Sequence, residues 1–322
     1  MPKLTVADIR MRLSDLHKDL NEGAIFTEIL PEIDELILSR PHEPRAAVKL
    51  PKVTQHFQHQ LDHYLQLAKQ KKVKQLDEQF MQGLIYVIGT DRGDLREEVM
   101  MVLSSLLEDN QISKDDLKQL FHHLIRPDVM YSHILEPRNK AVFGRTLALG
   151  MLRLILYGDR AGYFFLTSAD VQSLVEKLGL YAVLERDPRG FVNNSGWAHA
   201  FSALPSLGDE LSHHNELVRA DKIFLQAVIV ESYRLMPQVL SMGENEEIGA
   251  FLLNLMGQHE LYQRFFKAQL SRWRADLDHD DPASSEAWSR IFNYRHLMQS
   301  MLLDGRLPHD IVKLIVDTDQ KD

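Results

Sequence analysis

Between residues 185 and 204 the chain reads ERDPRGFVNNSGWAHAFSAL, which sets Glu185, Asp187, Arg189, Trp197 and His199 close together around a glycine-rich turn. These residue types can do chemistry. Arg189 could fork onto an anion, and His199 could serve as acid or base beside Asp187. The same residues could instead be a clamp. Arg189 would then fork to Glu185 or Asp187 and hold an inter-helix turn, because a bidentate arginine–carboxylate bond fixes geometry well. Trp197 would cover that pair from water while its indole N–H found a loop carbonyl. The clamp is the preferred expectation, since a buried polar network that is fully paired can be explained by fold specificity alone. The ligand-binding or hydrolytic reading remains as the alternative.

The local elements that must position these groups follow from the sequence. Pro188 forbids a regular helix across Glu185, Asp187 and Arg189. Ser195 is placed to cap a helix starting at Gly196. On such a helix Trp197 and His199, two apart, point to different faces.

Other constellations are weaker. His56, His59 and His63 share one helical stripe, with His59 and His63 at the i, i+4 spacing of metal ligands, but no HExxH motif accompanies them. They are expected to form an exposed polar face. His122–His123 and His213–His214 are adjacent pairs that diverge on a helix. The acidic run 276–282 lacks the glycine and terminal glutamate of an EF-hand loop. No P-loop, dinucleotide fingerprint or GxSxG elbow is present, and GTDRGD (89–94) and GDRAG (158–162) read as turns. The 12 methionines mostly fall on apolar stripes and are expected to fill the core. No cofactor and no metal ligand set is expected.

Composition narrows the class. Hydrophobic residues make up 44% and charged residues 26%, as in a globular chain. The net charge of −9 argues against nucleic acid or an anionic membrane surface as the main partner. The basic run Lys69 to Lys74 is short and ends an amphipathic helix. There are no cysteines, so disulfides, thiolate metal sites and cysteine nucleophiles are all excluded. A reducing, cytoplasmic setting is expected. The segment MPKLTVADIRMRLSDL lacks the apolar centre of a signal peptide. The longest apolar run, Leu147 to Tyr157, is broken by Arg153 and is expected to be too short for a bilayer.

Apolar periodicity predicts an all-α protein. Leu95, Val99, Met100, Val102, Leu103, Leu106 and Leu107 mark one buried face; Leu117, Leu120, Phe121, Leu124 and Ile125 continue it. Ser113 with Asp116 and Thr167 with Asp170 predict caps. Gly179 is expected to close a helix in the left-handed conformation. Strands and hairpin turns are not evident. Helix pairs are expected at about 75–108, 113–157, 168–212, 221–256 and 259–303, a spacing typical of HEAT-type repeats. A stacked α-solenoid or a compact array of helical hairpins fits this pattern. Residues 1–75, more polar and proline-rich, are expected to form an N-terminal layer or cap on a helical domain at 76–322, or to be continuous with it.

VFGRTLALGMLRLIL (142–156), Tyr181, ERDPRGF (185–191) and GWAHA (196–200) together resemble the bacterial family known as domain of unknown function 2785. ENEEIGAF (244–251) is similar to a further family segment. The resemblance covers roughly residues 80–260 and implies an all-helical, HEAT-like fold without supplying a reaction. Two departures stand out. Ala203 and Ser206 occupy positions where the resemblance implies a second histidine and an aspartate, and Pro205 is expected to break or kink that helix. Glu247 stands where the family pattern has arginine.

The expected function is therefore that of an interaction or scaffold protein, bound to another protein through a helical-repeat surface, with a small-molecule binder or hydrolytic enzyme as the less favoured reading.

Overall fold

The computed structural model describes residues 4–73, 76–281 and 283–316. Lys74 and Gln75, where the basic run and the expected N-terminal layer end, and Pro282, at the end of the acidic run, lie outside the described residues. In chain order the helices are α1 (Val6–Glu22), α2 (Ile29–Ser39), α3 (Gln55–Lys69), α4 (Glu78–Val87), α5 (Gly93–Glu108), α6 (Lys114–Leu124), the single turn α7 (Pro127–Met130), α8 (Ala141–Gly158), α9 (Ser168–Leu184), α10 (Ala200–Ser212), α11 (Arg219–Arg234), α12 (Glu244–Gln258), α13 (Glu260–Asp278), α14 (Ser285–Asp304) and α15 (His309–Val316). Two short strands, β1 (Phe191–Val192) and β2 (Gly196–Trp197), precede α10. The protein is all-α, and its helices are closely packed.

The chain divides into two compact units. The first comprises 1–41, 178–188 and 217–322, and the second 42–177 and 189–216. In the first, α11 is the central helix. Its residues from Ile223 to Arg234 are all buried, and α1, α2, α12, α13 and α14 pack around it. An apolar stripe would not need so many neighbours; α11 is buried on nearly all sides, including its polar residues.

In the second unit that place belongs to α8, packed by α5, α6, α7 and α10. With the π-helical turn Asp159–Tyr163 that follows it, the helix is long and apolar enough to cross a membrane by length and composition, contrary to the length argument made from residues 147–157. Most of it is buried inside the protein instead, as in the central helix of a bundle. The α6 cap forms as expected, with the Asp116 N–H donating to Ser113 Oγ at 3.0 Å. At α9 the Asp170 N–H donates to Thr167 Oγ1 at 3.2 Å, and the Thr167 N–H returns to the Asp170 carboxylate at 3.0 Å.

Three local expectations are overturned. Gly179 does not end a helix; α9 runs on to Leu184, and a Cβ at 179 would lie 2.5 Å from the Phe224 ring. Glycine is required there by close packing. Pro205 does not break α10, which is continuous from Ala200 to Ser212. Ser195 does not start a helix, because Gly196 and Trp197 form a strand.

Candidate functional site

The five predicted site residues fall in both units. Glu185 and Asp187 belong to the first, and Arg189, Trp197 and His199 to the second.

In the first unit Glu185 follows the last turn of α9 and is buried. Its carboxylate accepts the Tyr181 hydroxyl at 2.8 Å and the backbone N–H groups of Arg186 and Asp187, each at 2.9 Å. The glutamate thus shapes the turn that Pro188 makes necessary. Arg40 donates to the carbonyls of Val183 and Glu185, both at 3.1 Å, satisfying acceptors that a helix end leaves open. Burial, and then the nearby positive charge of Arg186, push the Arg40 guanidinium down to about 10. Arg186 itself donates to the Pro41 carbonyl at 2.8 Å.

In the second unit the sequence FVNNSGW makes a hairpin. Phe191 pairs with Trp197 and Val192 with Gly196, antiparallel. Asn194 (φ 65°) and Gly196 (φ 73°) take left-handed conformations, which asparagine and glycine tolerate best. Gly196 also packs against Gly93, whose own Cβ would meet the Ser195 carbonyl at 3.1 Å. Two turn residues and a glycine between apolar residues are a recognisable hairpin signal, and it is the one missed above.

A buried arginine holds this hairpin. Arg96 of α5 donates to the carbonyls of Ser195 at 2.7 Å and Trp197 at 2.9 Å, and its guanidinium lies 4.5 Å from the Phe143 ring centre. Burial pushes its pKa down, which measures what the site must offset. Arg189 faces the same ring at 5.9 Å and donates to the Asn139 carbonyl. Asn139 is itself buried. Its amide donates to the His133 carbonyl at 3.1 Å and to Glu136 at 3.2 Å. Burial opposes ionisation of Glu136, but the Ala46 N–H, His133 and Asn139 outweigh it and hold this carboxyl below its usual range. Phe143 therefore meets two guanidiniums, a favourable cation–π arrangement once both are desolvated. Arg96 had a signal in the sequence: it stands three and seven residues before Val99 and Leu103, on a face that is otherwise apolar.

His199 does not sit within a helix. It is the residue before α10, with φ 49° and ψ 40°, a left-handed conformation that costs a non-glycine residue free energy. Its N–H donates to the Arg189 carbonyl at 3.0 Å, and its ring lies 4.2 Å from that of Trp197. The two side chains meet because strand β2 and the left-handed turn replace the expected helix. Trp197 also packs edge-on to Phe191 at 5.1 Å. Neither aromatic is a buried cover: Phe191 is 51% exposed and Trp197 45%.

His56, His59 and His63 are all exposed on α3. Among the described residues no three His, Asp or Glu side chains are grouped so as to hold a metal ion.

Fold and site thus define an all-helical protein in which an arginine-clamped hairpin presents two aromatic rings. Residues 130–303, more than half of the chain, match the family described as "Protein of unknown function (DUF2785)", and the chain belongs to that family. No curated protein and no solved structure matches it.

Proposed function

We propose that the chain is a non-catalytic interaction or scaffold protein, built of HEAT-like helical hairpins and working in the cytoplasm, that binds another protein through the Phe191–Trp197 hairpin. The observation that carries this reading is the exposure of both rings on a backbone held by a buried arginine. Large aromatic side chains dominate binding energy at protein interfaces, most of all when rigidly presented. The polar residues nearby support the same reading, because Arg96 and Arg189 donate to main-chain carbonyls. A net charge of −9 favours a protein partner over nucleic acid or an anionic membrane.

The test is a photo-crosslinking residue at position 191, with the exposed Glu78 of α4 as the control position. The proposal expects a discrete protein adduct at 191 alone. The captured protein, once purified, should bind the chain directly, and Trp197→Ser should weaken that binding by at least about tenfold. Equal adducts at both positions would overturn the reading. So would a hydrolytic activity that His199→Ala abolishes in folded protein.

A further inference from the structure

The first unit contains a second polar cluster, away from the family motif. Asp34 of α2, Glu231 and Arg234 of α11, and Arg272 and Asp276 of α13 meet in one network. Arg234 donates to Glu231 at 2.5 Å, to Asp276 at 2.5 Å and to Asp34. Arg272 donates to Asp34 at 2.5 Å and reaches Glu231 at 3.4 Å. Gln269 donates to the other Glu231 oxygen at 3.0 Å, and Gln226 donates to Gln269 at 3.0 Å. Three carboxylates thus face two guanidiniums, an excess of one negative charge. Glu231 and Arg234 are almost wholly buried, whereas Asp276 is half exposed.

Hydrogen-bond accounting locates the imbalance. Oδ2 of Asp34 accepts from both arginines, but Oδ1 is buried and has no donor among the described residues. The Glu231 and Asp34 carboxylates are drawn together by the same two guanidiniums, those of Arg234 and Arg272. A buried carboxylate in excess over its guanidiniums is costly to ionise, and a buried acceptor without a donor is costly too. One proton removes the excess charge. The remaining neighbours of α11 are engaged elsewhere; on α14, Arg290 forks onto Asp280. On α1, His17 turns to Asp221 near the other end of α11, and Arg12 engages Glu32 and Glu35. On α12, Glu244 and Glu246 add only further negative charge near Tyr233.

We propose that this cluster is a proton-operated latch: a proton held on Glu231 balances the network and ties α2 to α11 and α13, and its loss loosens α2. Burial, opposed by Arg234 and reinforced by Asp34, pushes the Glu231 carboxyl up to about 7, so the change falls near neutral pH. The sign follows from linkage. A carboxyl whose folded-state pKa is raised favours the fold below its unfolded value, and that advantage is lost as pH rises through the folded value.

The test is denaturant unfolding of the full chain between about pH 5 and pH 8.5, with amide exchange of α2 measured relative to α14 in the same samples. In the wild type the folding equilibrium constant should fall as pH rises, by up to about a hundredfold. Exchange in α2 should rise more than exchange in α14. Glu231→Gln, which keeps the shape and removes the titration, should flatten both trends. Isotope-edited infrared spectroscopy on the wild type keeps the idea testable if the variant does not fold: a protonated glutamate band should be present near pH 6 and absent by pH 8.5. A wild type with no such fall, a fall that persists in Glu231→Gln, or the absence of the band would each overturn the latch.

Discussion

Nη2 of Arg96 lies 2.9 Å from the carbonyl oxygen of Trp197 and 2.7 Å from that of Ser195. One buried side chain on α5 thereby fixes a hairpin about a hundred residues further along the chain. The aromatic rings on that hairpin are free to face solvent because their backbone is held from behind. Nη1 reaches the Thr90 carbonyl while Nη2 serves the two hairpin carbonyls, so the single ammonium of Arg96→Lys leaves at least one of the three without its donor. The expected cost is about 1–3 kcal/mol in urea unfolding. A red shift of the Trp197 emission should accompany it, provided the other two tryptophans are replaced by phenylalanine.

His199 offers a separate test of the local backbone. Its left-handed conformation is strained for any residue with a Cβ, and glycine relieves that strain. His199→Ala loses the ring contact with Trp197 and keeps the strain. His199→Gly loses the contact as well but relaxes the backbone. The glycine variant should therefore be more stable than the alanine variant by about 1 kcal/mol in thermal or urea unfolding.

The helical class, the caps at Ser113 and Thr167 and the exposed histidines of α3 were legible in the sequence because each depends on residues a few positions apart. What escaped depends on partners far along the chain. Gly179 looked like a helix end until Phe224 was seen against it. Arg96 carries a local sign, its place on an otherwise apolar face, but its partners at Ser195 and Trp197 lie about a hundred residues on. The hairpin at 191–197 was hidden by reading GWAHA as one helix, and Asp34 and Glu231 carry no local sign of belonging together. The five site residues lie close in sequence, yet their contacts differ: Glu185 orders its own turn, Arg189 meets Asn139 and Phe143, and Trp197 and His199 touch each other.

The π-helical turn after α8 predicts a response to acid. Burial raises the Asp159 pKa, but His214 and the N–H groups of Leu166 and Phe165 outweigh it and hold this carboxyl below its ordinary value of 3.8. A depressed carboxylate contributes stability above its unfolded pKa and loses it as pH falls through the folded value. Asp159→Asn should therefore destabilise the protein at neutral pH and remove part of the stability loss seen below about pH 4. Unfolding of both proteins between neutral and acid pH measures it.

Metal content separates the clamp from a hidden active site. Of the positions that the family resemblance implies at 199, 203 and 206, only His199 can ligate, since Ala203 has no lone pair and Ser206 is a poor donor. Tag-free protein dialysed against trace metal is expected to carry no stoichiometric zinc by elemental analysis. About one zinc per chain, lost on His199→Ala, would instead mark a metal site; zinc lost on His59→Ala would move the search to α3.

The most direct measurement is the stability of Arg189→Lys. If Arg189 holds the site together through Asn139 and the Phe143 ring, keeping the charge cannot replace the planar fork. Urea unfolding should then show a loss of about 1–3 kcal/mol, while the exposed pair tested by Trp197→Ser costs little stability and weakens partner binding. An Arg189→Lys protein with unchanged stability that no longer binds its ligand would contradict the account and return Arg189 to the role of a ligand-binding residue.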